Sequence, residues 1–412
     1  MGESTLAKMG SPPAGNVSSS TSSHSRGRVR QALPDAYLGT YQTGPHNGIT
    51  DVPGVLVNTI TIRERDGETN TGVTTILPRR DWFNKACHAG IFRLNGAGEM
   101  TGSHRIEETG LLSSPIIISN TFAVGHCHAG VNAYAVQHYG QAGVDWFMLP
   151  VVAETFDGFL NDLRHFAVTP EHVFEGIEKA SNGPVAEGNT GGGTAMMCQC
   201  FKGGTGTSSR VVTGPNGSPS YTVAALVQAN FGVMQHLHIS GVPIGRILAQ
   251  QAAKDPEAAA RKAEYDAAKD TKDGSIIIIL ATDLPMHPVQ LQRLARRAAL
   301  GLARTGSYAH NQSGDIFLAF STAHEVPVQI VRGRNSAFSP YEPRIMDIQV
   351  VNDETCNGIF EAAADATEEA IYNALCMAET MTGAGGRTVE ALPLDKVREI
   401  MARYKEAEKA FT

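Results

Sequence analysis

The chain has 412 residues with a formal charge of −7 and 42% hydrophobic residues, the balance of an ordinary globule with material for a large core. The charge is spread without a basic face or arginine-rich run, which argues against nucleic-acid binding. The longest apolar runs, such as Ile276 to Ala281, fall far short of the roughly 20 residues that cross a bilayer, so no membrane span is expected.

Residues 1–35 hold Ser-Ser-Ser-Thr-Ser-Ser (18–23), Pro12-Pro13, Arg26, Arg28 and Arg30. With no apolar core of a secretory signal, they read as a disordered extension, with an organellar leader as the alternative. Beyond them, β-rich apolar runs predict buried strands at Gly72–Leu77, Pro115–Ser119, Val223–Gln228, Ile276–Ala281, Asp315–Ser321 and the alternating Arg344–Val351. Helical patterns fall at Gly130–His138, Pro170–Ala180, Pro288–Arg304, Glu354–Met381 and Pro393–Lys409. Between Arg246 and Asp273 the chain is rich in Ala, Lys, Glu and Asp and poor in large apolar residues, the composition of a solvated helix-rich linker. The order suggests strands and helices in packed layers; periodicity alone leaves a doubly wound sheet and a four-layer sandwich both open. Six scattered cysteines (Cys87, Cys127, Cys198, Cys200, Cys356, Cys376) require no disulfide framework in a chain of this size, and a reducing cytoplasm fits best.

Lys272-Asp-Gly-Ser275 places a Gly-Ser bond where the linker becomes the strand Ile276-Ile-Ile-Ile-Leu-Ala281. Locally this is a turn glycine and a capping serine. It is also where a self-cleaving hydrolase carries its nucleophile: a cut between Gly274 and Ser275 gives Ser275 a hydroxyl and a free α-amine, and the amine serves as the hydroxyl's own general base. Such an amine titrates near pH ~8 and is available as free base when partly desolvated.

The remaining blocks bear on that choice. Gly48-Ile-Thr-Asp-Val-Pro-Gly-Val55, Leu94-Asn-Gly-Ala-Gly-Glu-Met-Thr-Gly102, Pro150-Val-Val-Ala-Glu-Thr-Phe-Asp-Gly158, Glu187-Gly-Asn-Thr-Gly-Gly-Gly-Thr194, Asp273 to Asp283 and Ser313-Gly-Asp-Ile-Phe-Leu-Ala-Phe320 run in one order. In this the chain resembles the DmpA-type peptidases, the family of L-aminopeptidase/D-esterases and β-peptidyl aminopeptidases, from about Ala36 to the C-terminal helix. The resemblance implies an α/β fold of the four-layer αββα type shared with ornithine acetyltransferases, in a single catalytic domain over 36–412. It also implies self-cleavage into 1–274 and 275–412, a homotetramer of cleaved units, and no cofactor. The substrates it implies are short peptides or aminoacyl amides and esters with a free amino terminus, of L-α, D or β residues.

It also implies roles residue by residue. Ser275 is the nucleophile for processing and for catalysis. Ser313 and Asp315 form the family's Ser-x-acidic pair, with Asp315 where relatives have glutamate. Asn230, ending Val227-Gln-Ala-Asn230, matches the oxyanion-stabilising asparagine, whose N–H meets developing charge without titrating. Glu154 matches the acidic residue that receives the substrate ammonium. Phe156 stands where some aminopeptidase relatives carry tyrosine, as other relatives of the β-aminopeptidase kind also lack that hydroxyl, and so points toward β-amino-acid substrates. Ornithine acetyltransferases use threonine as nucleophile, so Ser275 argues against acyl transfer; an inactive scaffold is the non-enzymatic alternative. Asn95 and Glu99 read as pocket wall or interface. The glycine block 187–194 reads as a close backbone approach, since it lacks a P-loop's Gly-Lys-Ser/Thr ending. His126-Cys127-His128 and Cys198-x-Cys200 supply no four-ligand spacing for a metal.

Overall fold

The computed structural model describes residues 26–145, 148–217, 219–255, 274–330 and 338–409. The strands of its first half are β1 (Leu56–Glu64), β2 (Thr69–Leu77), β3 (Lys85–Arg93), β4 (Leu111–Leu112), β5 (Ile116–Asn120) and β6 (Val151–Thr155). Next come the short β7 (Met197–Cys198) and β8 (Phe201–Lys202), then β9 (Gly204–Thr213) and β10 (Ser220–Asn230). β11 (Ser275–Thr282), β12 (Asp315–Pro327), β13 (Met381–Thr382) and β14 (Thr388–Val389) follow. The helices are α1 (Val29–Ala32), α2 (Ser103–Thr109), α3 (Val124–Tyr139), α4 (Gln141–Asp145), α5 (Pro170–Lys179), α6 (Ile244–Ala252), α7 (Pro288–Arg304), α8 (Asn357–Met377) and α9 (Leu394–Lys409).

Two mixed sheets organise this α/β chain. One has the order β1-β2-β5-β6 and the other β4-β3-β12-β11-β10-β9. The run Ser275–Thr282 is buried at every position, as a strand covered on both faces must be. Its period of two divides it: Ile276, Ile278 and Leu280 join a core with Leu291, Leu294 and Ala298 of α7 and Ala363, Ala366 and Ala370 of α8. Ile277, Ile279 and Ala281 join a second core with Ile116 and Ile118 of β5 and Val151 and Ala153 of β6. Ile117 and Val152, on the reverse of those strands, enter a third core with Cys127, Val131 and Ala135 of α3 and Val173 and Ile177 of α5. Each buried isoleucine is worth ~1.5–3 kcal/mol, so this alternation fixes the β11 register and the placement of its first residue.

Three expectations change. Residues 26–35 are packed: Val29, Ala32 and Leu33 are buried, and the Val29 N–H donates to Asn373 Oδ1 at 2.9 Å. Arg30 pairs with the fully buried Glu369 at 2.7 Å, and Glu369 also holds the fully buried Arg210 at 2.7 Å. Burial alone would raise the Glu369 carboxyl, but Arg30 and Arg210 hold it below its usual range. The arginines that read as part of a tail thus anchor the start of the body. Secondly, Arg344–Val351 forms no strand: Arg344 to Val350 are exposed and Val351 is partly covered, no described strand pairs with the alternation, and Arg344 lies over the Phe338 ring at 4.0 Å. Thirdly, the segment 246–273 begins as the continuation of α6, with Leu248 buried; residues 256–273 lie outside the described part.

Candidate active site

Strand pairing builds the site. Asn230 lies opposite Ser275 in the antiparallel β10–β11 ladder, and Ile276 lies opposite Asp315 in the parallel β11–β12 pair. The end of β10, the start of β11 and the turn Ser313-Gly314-Asp315 therefore meet at one end of the large sheet's inner strands. Gly274 fits only as glycine, because a Cβ there would lie 1.8 Å from the Asn230 carbonyl oxygen. Gly314 is equally confined, a Cβ meeting Gly98 Cα at 2.6 Å, which seats the 94–102 turn directly over the site.

Ser275 is 7% exposed, and its Oγ accepts a hydrogen bond from the Gly314 N–H at 2.9 Å. The Ser313 Oγ lies 2.6 Å from the Gly274 carbonyl oxygen and 2.7 Å from Asp315 Oδ1. A hydroxyl has one proton, so Ser313 shares its donation between the Gly274 carbonyl and the Asp315 carboxylate. Burial pushes the Asp315 pKa up, against the opposing effect of the hydrogen bonds it accepts from Ser313 and Asn95. The short Asp315 side chain reaches Ser313 directly. Asn95 also donates to the Ala309 and His310 carbonyls at 2.7 and 2.9 Å, tying the turn to the loop before Ser313.

Asn230 is held at both ends of its amide. The Met197 N–H donates to Oδ1 at 2.8 Å and Nδ2 donates to the Phe156 carbonyl at 2.9 Å; among the described residues the second Nδ2 proton has no acceptor. Glu154, next to last in β6, is 6% exposed, with the Glu99 N–H on Oε1 at 2.9 Å and the Thr121 hydroxyl on Oε2. Burial raises its pKa in spite of those donors, and no described cation pairs with it. Gly98 joins the two halves: a Cβ there would stand 3.0 Å from Gly314 Cα and 3.3 Å from Glu154 Oε1. Phe156 supplies its carbonyl to Asn230, while its ring packs where a Cβ on Gly158 would be, 2.5 Å from Cζ. A cleft lined by Phe231, His236, Gly274, Tyr308, His310 and Ser313 opens beside the Gly274–Ser275 bond.

The structure thus brings together Gly274, Ser275, Ser313, Asp315, Asn230, Glu154 and Phe156, with Asn95 and Glu99 on the turn beside them. It adds Gly314, Met197 and Asp157, whose signals were weak: two act through backbone N–H groups, and Asp157 lay unremarked in the Glu154 block. Asp157 is 1% exposed, and burial lifts its pKa to about 7 despite bonds from Asn161 and Thr71. The glycine block is a close approach as expected, since a Cβ on Gly192 would meet Gln228 Oε1 at 2.1 Å and one on Gly193 the Thr205 nitrogen at 2.2 Å. The His126 ring contacts the Val168 carbonyl at 2.8 Å and Cys127 is buried. Among the described residues no group of three or more His, Cys, Asp and Glu side chains is arranged to hold a metal, and no helix is long and apolar enough to cross a membrane.

Comparison with known proteins gives concordant results. The sequence model of peptidase family S58 matches residues 47–389. The chain is 42% identical over 372 residues to the beta-peptidyl aminopeptidase BapA of Sphingosinicella microcystinivorans, covering 88% of this chain and 89% of that protein. The solved structure of a Burkholderia sp. beta-aminopeptidase is similar with a TM-score of 0.79 and 38% identity, over 91% of this chain and 98% of that one. The L-aminopeptidase D-Ala-esterase/amidase of Ochrobactrum anthropi, described as a prototype for the serine aminopeptidases and a variant of the Ntn hydrolase fold, is similar with a TM-score of 0.78 and 41% identity, over 92% and 99%.

Proposed function

The chain belongs to peptidase family S58, and from that premise we propose how the site described above processes itself and its substrates. The protein is a serine aminopeptidase. The observation that carries the mechanism is the Gly274–Ser275 peptide held between two donors, with Ser313 on the Gly274 carbonyl and Gly314 N–H on the Ser275 hydroxyl oxygen.

In the first step Ser275 Oγ attacks the Gly274 carbonyl carbon. The O–C bond forms, charge gathers on the oxygen that faces Ser313, and the C–N bond breaks as the hydroxyl proton passes to the departing Ser275 nitrogen. Water hydrolyses the resulting ester, leaving a Gly274 carboxylate and a Ser275 that has a free amine and a regenerated hydroxyl. In the mature enzyme the amine takes the Oγ proton as Ser275 attacks the substrate carbonyl. The uncommitted Nδ2–H of Asn230 meets the oxyanion, a donor whose loss typically costs 10²–10³ in rate, roughly 3–4 kcal/mol. Ser313 and Asp315 then hold the new amine, and Glu154 pairs with the substrate's ammonium. An acylated amino terminus would leave the Glu154 carboxylate buried without a cation, which explains a requirement for unblocked substrates.

The substrates we assign are short peptides, amides and esters with a free L-α, D or β-amino-acid terminus, Phe156 favouring tolerance of the last. Acyl transfer of the ornithine acetyltransferase kind is not favoured, since the relatives above are aminopeptidases. The three cores that flank and separate the two large sheets support a four-layer αββα arrangement. Six unpaired cysteines support a cytoplasmic setting, and the homotetramer rests on the family resemblance alone. Intact-mass analysis of the wild type beside Ser275→Ala tests the reading: fragments 1–274 and 275–412 are expected from the first and one uncut chain from the second. A folded, uncut wild type would refute the mature-amine mechanism.

A further inference from the structure

Lys202 is fully buried, has no acidic partner among the described residues, and has no part in the steps above. Its Nζ donates to three main-chain carbonyls, Met196 and Gly203 at 2.8 Å and Gly193 at 3.3 Å. Three donated bonds from one nitrogen need three hydrogens, which only the ammonium has. Burial opposes that charge and pushes the Lys202 pKa well below its ordinary value, with Arg63 acting in the same direction. A cation this costly to bury points to a use beyond packing.

The use lies at the other end of one peptide unit. The Met196 carbonyl accepts from Lys202, and the N–H of the same peptide, on Met197, donates to Asn230 Oδ1 at 2.8 Å. Met197 and Lys202 are direct cross-strand partners in the β7–β8 hairpin, and the Gln199 N–H at its tip is fixed to the Phe231 carbonyl at 2.6 Å. Ammonium, peptide and side-chain amide thus form one chain, in which each amide accepts at oxygen and donates at nitrogen. An accepted bond polarises an amide and strengthens its own N–H as a donor, by about 10–30% per bond.

We propose that Lys202 is a positioning residue for the oxyanion site, its charge passed through the Met196–Met197 peptide and the Asn230 amide to the Nδ2–H that meets the developing oxyanion. The same chain sets the orientation of Asn230, since the Met197 N–H admits only the oxygen end of the amide. The inference rests on the reading of Asn230 given above.

The test uses Lys202→Gln, which keeps two N–H donors for the carbonyls but no charge, in the self-cleaved enzyme with an aminoacyl p-nitroanilide. If polarisation supplies ~10–30% of the free energy that a full oxyanion donor contributes, kcat falls roughly two- to eight-fold with KM within about two-fold. In an Asn230→Ala background the same substitution lowers kcat no further, and in 15N-asparagine-labelled protein the Asn230 Nδ2 protons move upfield. Lys202→Arg, which keeps the charge, restores the wild-type shift. A full multiplicative loss in the Asn230→Ala background, or an Asn230 signal indifferent to Lys202→Gln, overturns the relay. An Asn230→Ala enzyme with unchanged kcat overturns the oxyanion reading itself. If Lys202→Gln does not fold, 15N-lysine spectra of the wild type at pH 7 decide: an ammonium is expected, and a neutral amine ends the proposal.

Discussion

Gly274→Ala perturbs the cleavage site without touching any side chain proposed to react. The added Cβ would sit 1.8 Å from the Asn230 carbonyl oxygen, 2.7 Å from its carbon and 3.1 Å from Phe231 Cα. All three are backbone atoms, and Asn230 is fixed by pairing with Ser275, so no rotamer change relieves the contact. Ordinary van der Waals separation requires the two chains to part by about 1.5 Å, and overpacking of this kind costs ~1–3 kcal/mol. The kinetic effect is larger, because a misplacement of ~1 Å in a reacting geometry costs about 10²-fold. The parting moves the Gly274 carbonyl away from Ser313 and tilts Asn230 at the same time. Self-cleavage of freshly refolded protein, followed by intact mass over time, is expected to slow by about 10²-fold. Cleavage of Gly274→Ala within three-fold of the wild-type rate would refute the argument that this contact sets the geometry of the bond.

Ser313→Ala removes the donor from the Gly274 carbonyl and is expected to slow self-cleavage by about 10²–10³. Asp315→Asn, which still offers Ser313 an N–H, should process within roughly ten-fold of wild type while losing most turnover; both are read by intact mass and a chromogenic amide. Glu154→Gln is expected to raise KM for free-amine substrates by about 10–100-fold, the worth of a hydrogen-bonded charge, and to narrow the preference over N-acetylated ones. Asp157 gives a pH signature: its folded pKa is about 7 against 3.8 for the free side chain. Below pH ~4 both states are protonated; between there and 7 the unfolded chain releases a proton that the native one keeps. Stability therefore falls with rising pH in that window, by up to ~1.4 kcal/mol per pH unit, and Asp157→Asn should flatten the slope in urea titrations.

The parts of the fold most legible in the sequence were those whose hydrophobicity and period agree. Ile276–Ala281 lies within β11, and Pro288–Arg304 matches α7 from end to end. Gly204–Thr213 carries no apolar strand pattern, its residues being mostly glycine, serine and threonine, yet it is a strand. Its small residues let α8 approach so closely that a Cβ on Gly206 would meet the Ala370 carbonyl at 2.0 Å. Arg344–Val351 failed the other way, showing the alternation of a strand with no partner to pair. Within the site, Ser275, Asn230, Ser313, Asp315 and Glu154 could be named because the resemblance covers side chains. Gly314 and Met197 escaped because a backbone N–H leaves no mark on residue type, and Lys202 escaped because burial without a carboxylate partner is a property of the fold.

The order of the large sheet has a consequence for how often this protein can fold. β11 and β12, both downstream of Gly274, lie side by side in its middle, flanked by β3 and β10 from upstream. In the uncut chain these strands find one another within a single molecule, at a rate independent of concentration. With the proposed cut made, the large sheet draws its strands from two separate chains, and recovery from unfolding becomes an encounter between two molecules. Processing would then act as a ratchet, closing off the unimolecular route by which the structure was reached. Dilute, denatured wild type should regain activity with second-order dependence on concentration, whereas uncut Ser275→Ala should regain its native fluorescence at a rate that dilution leaves unchanged.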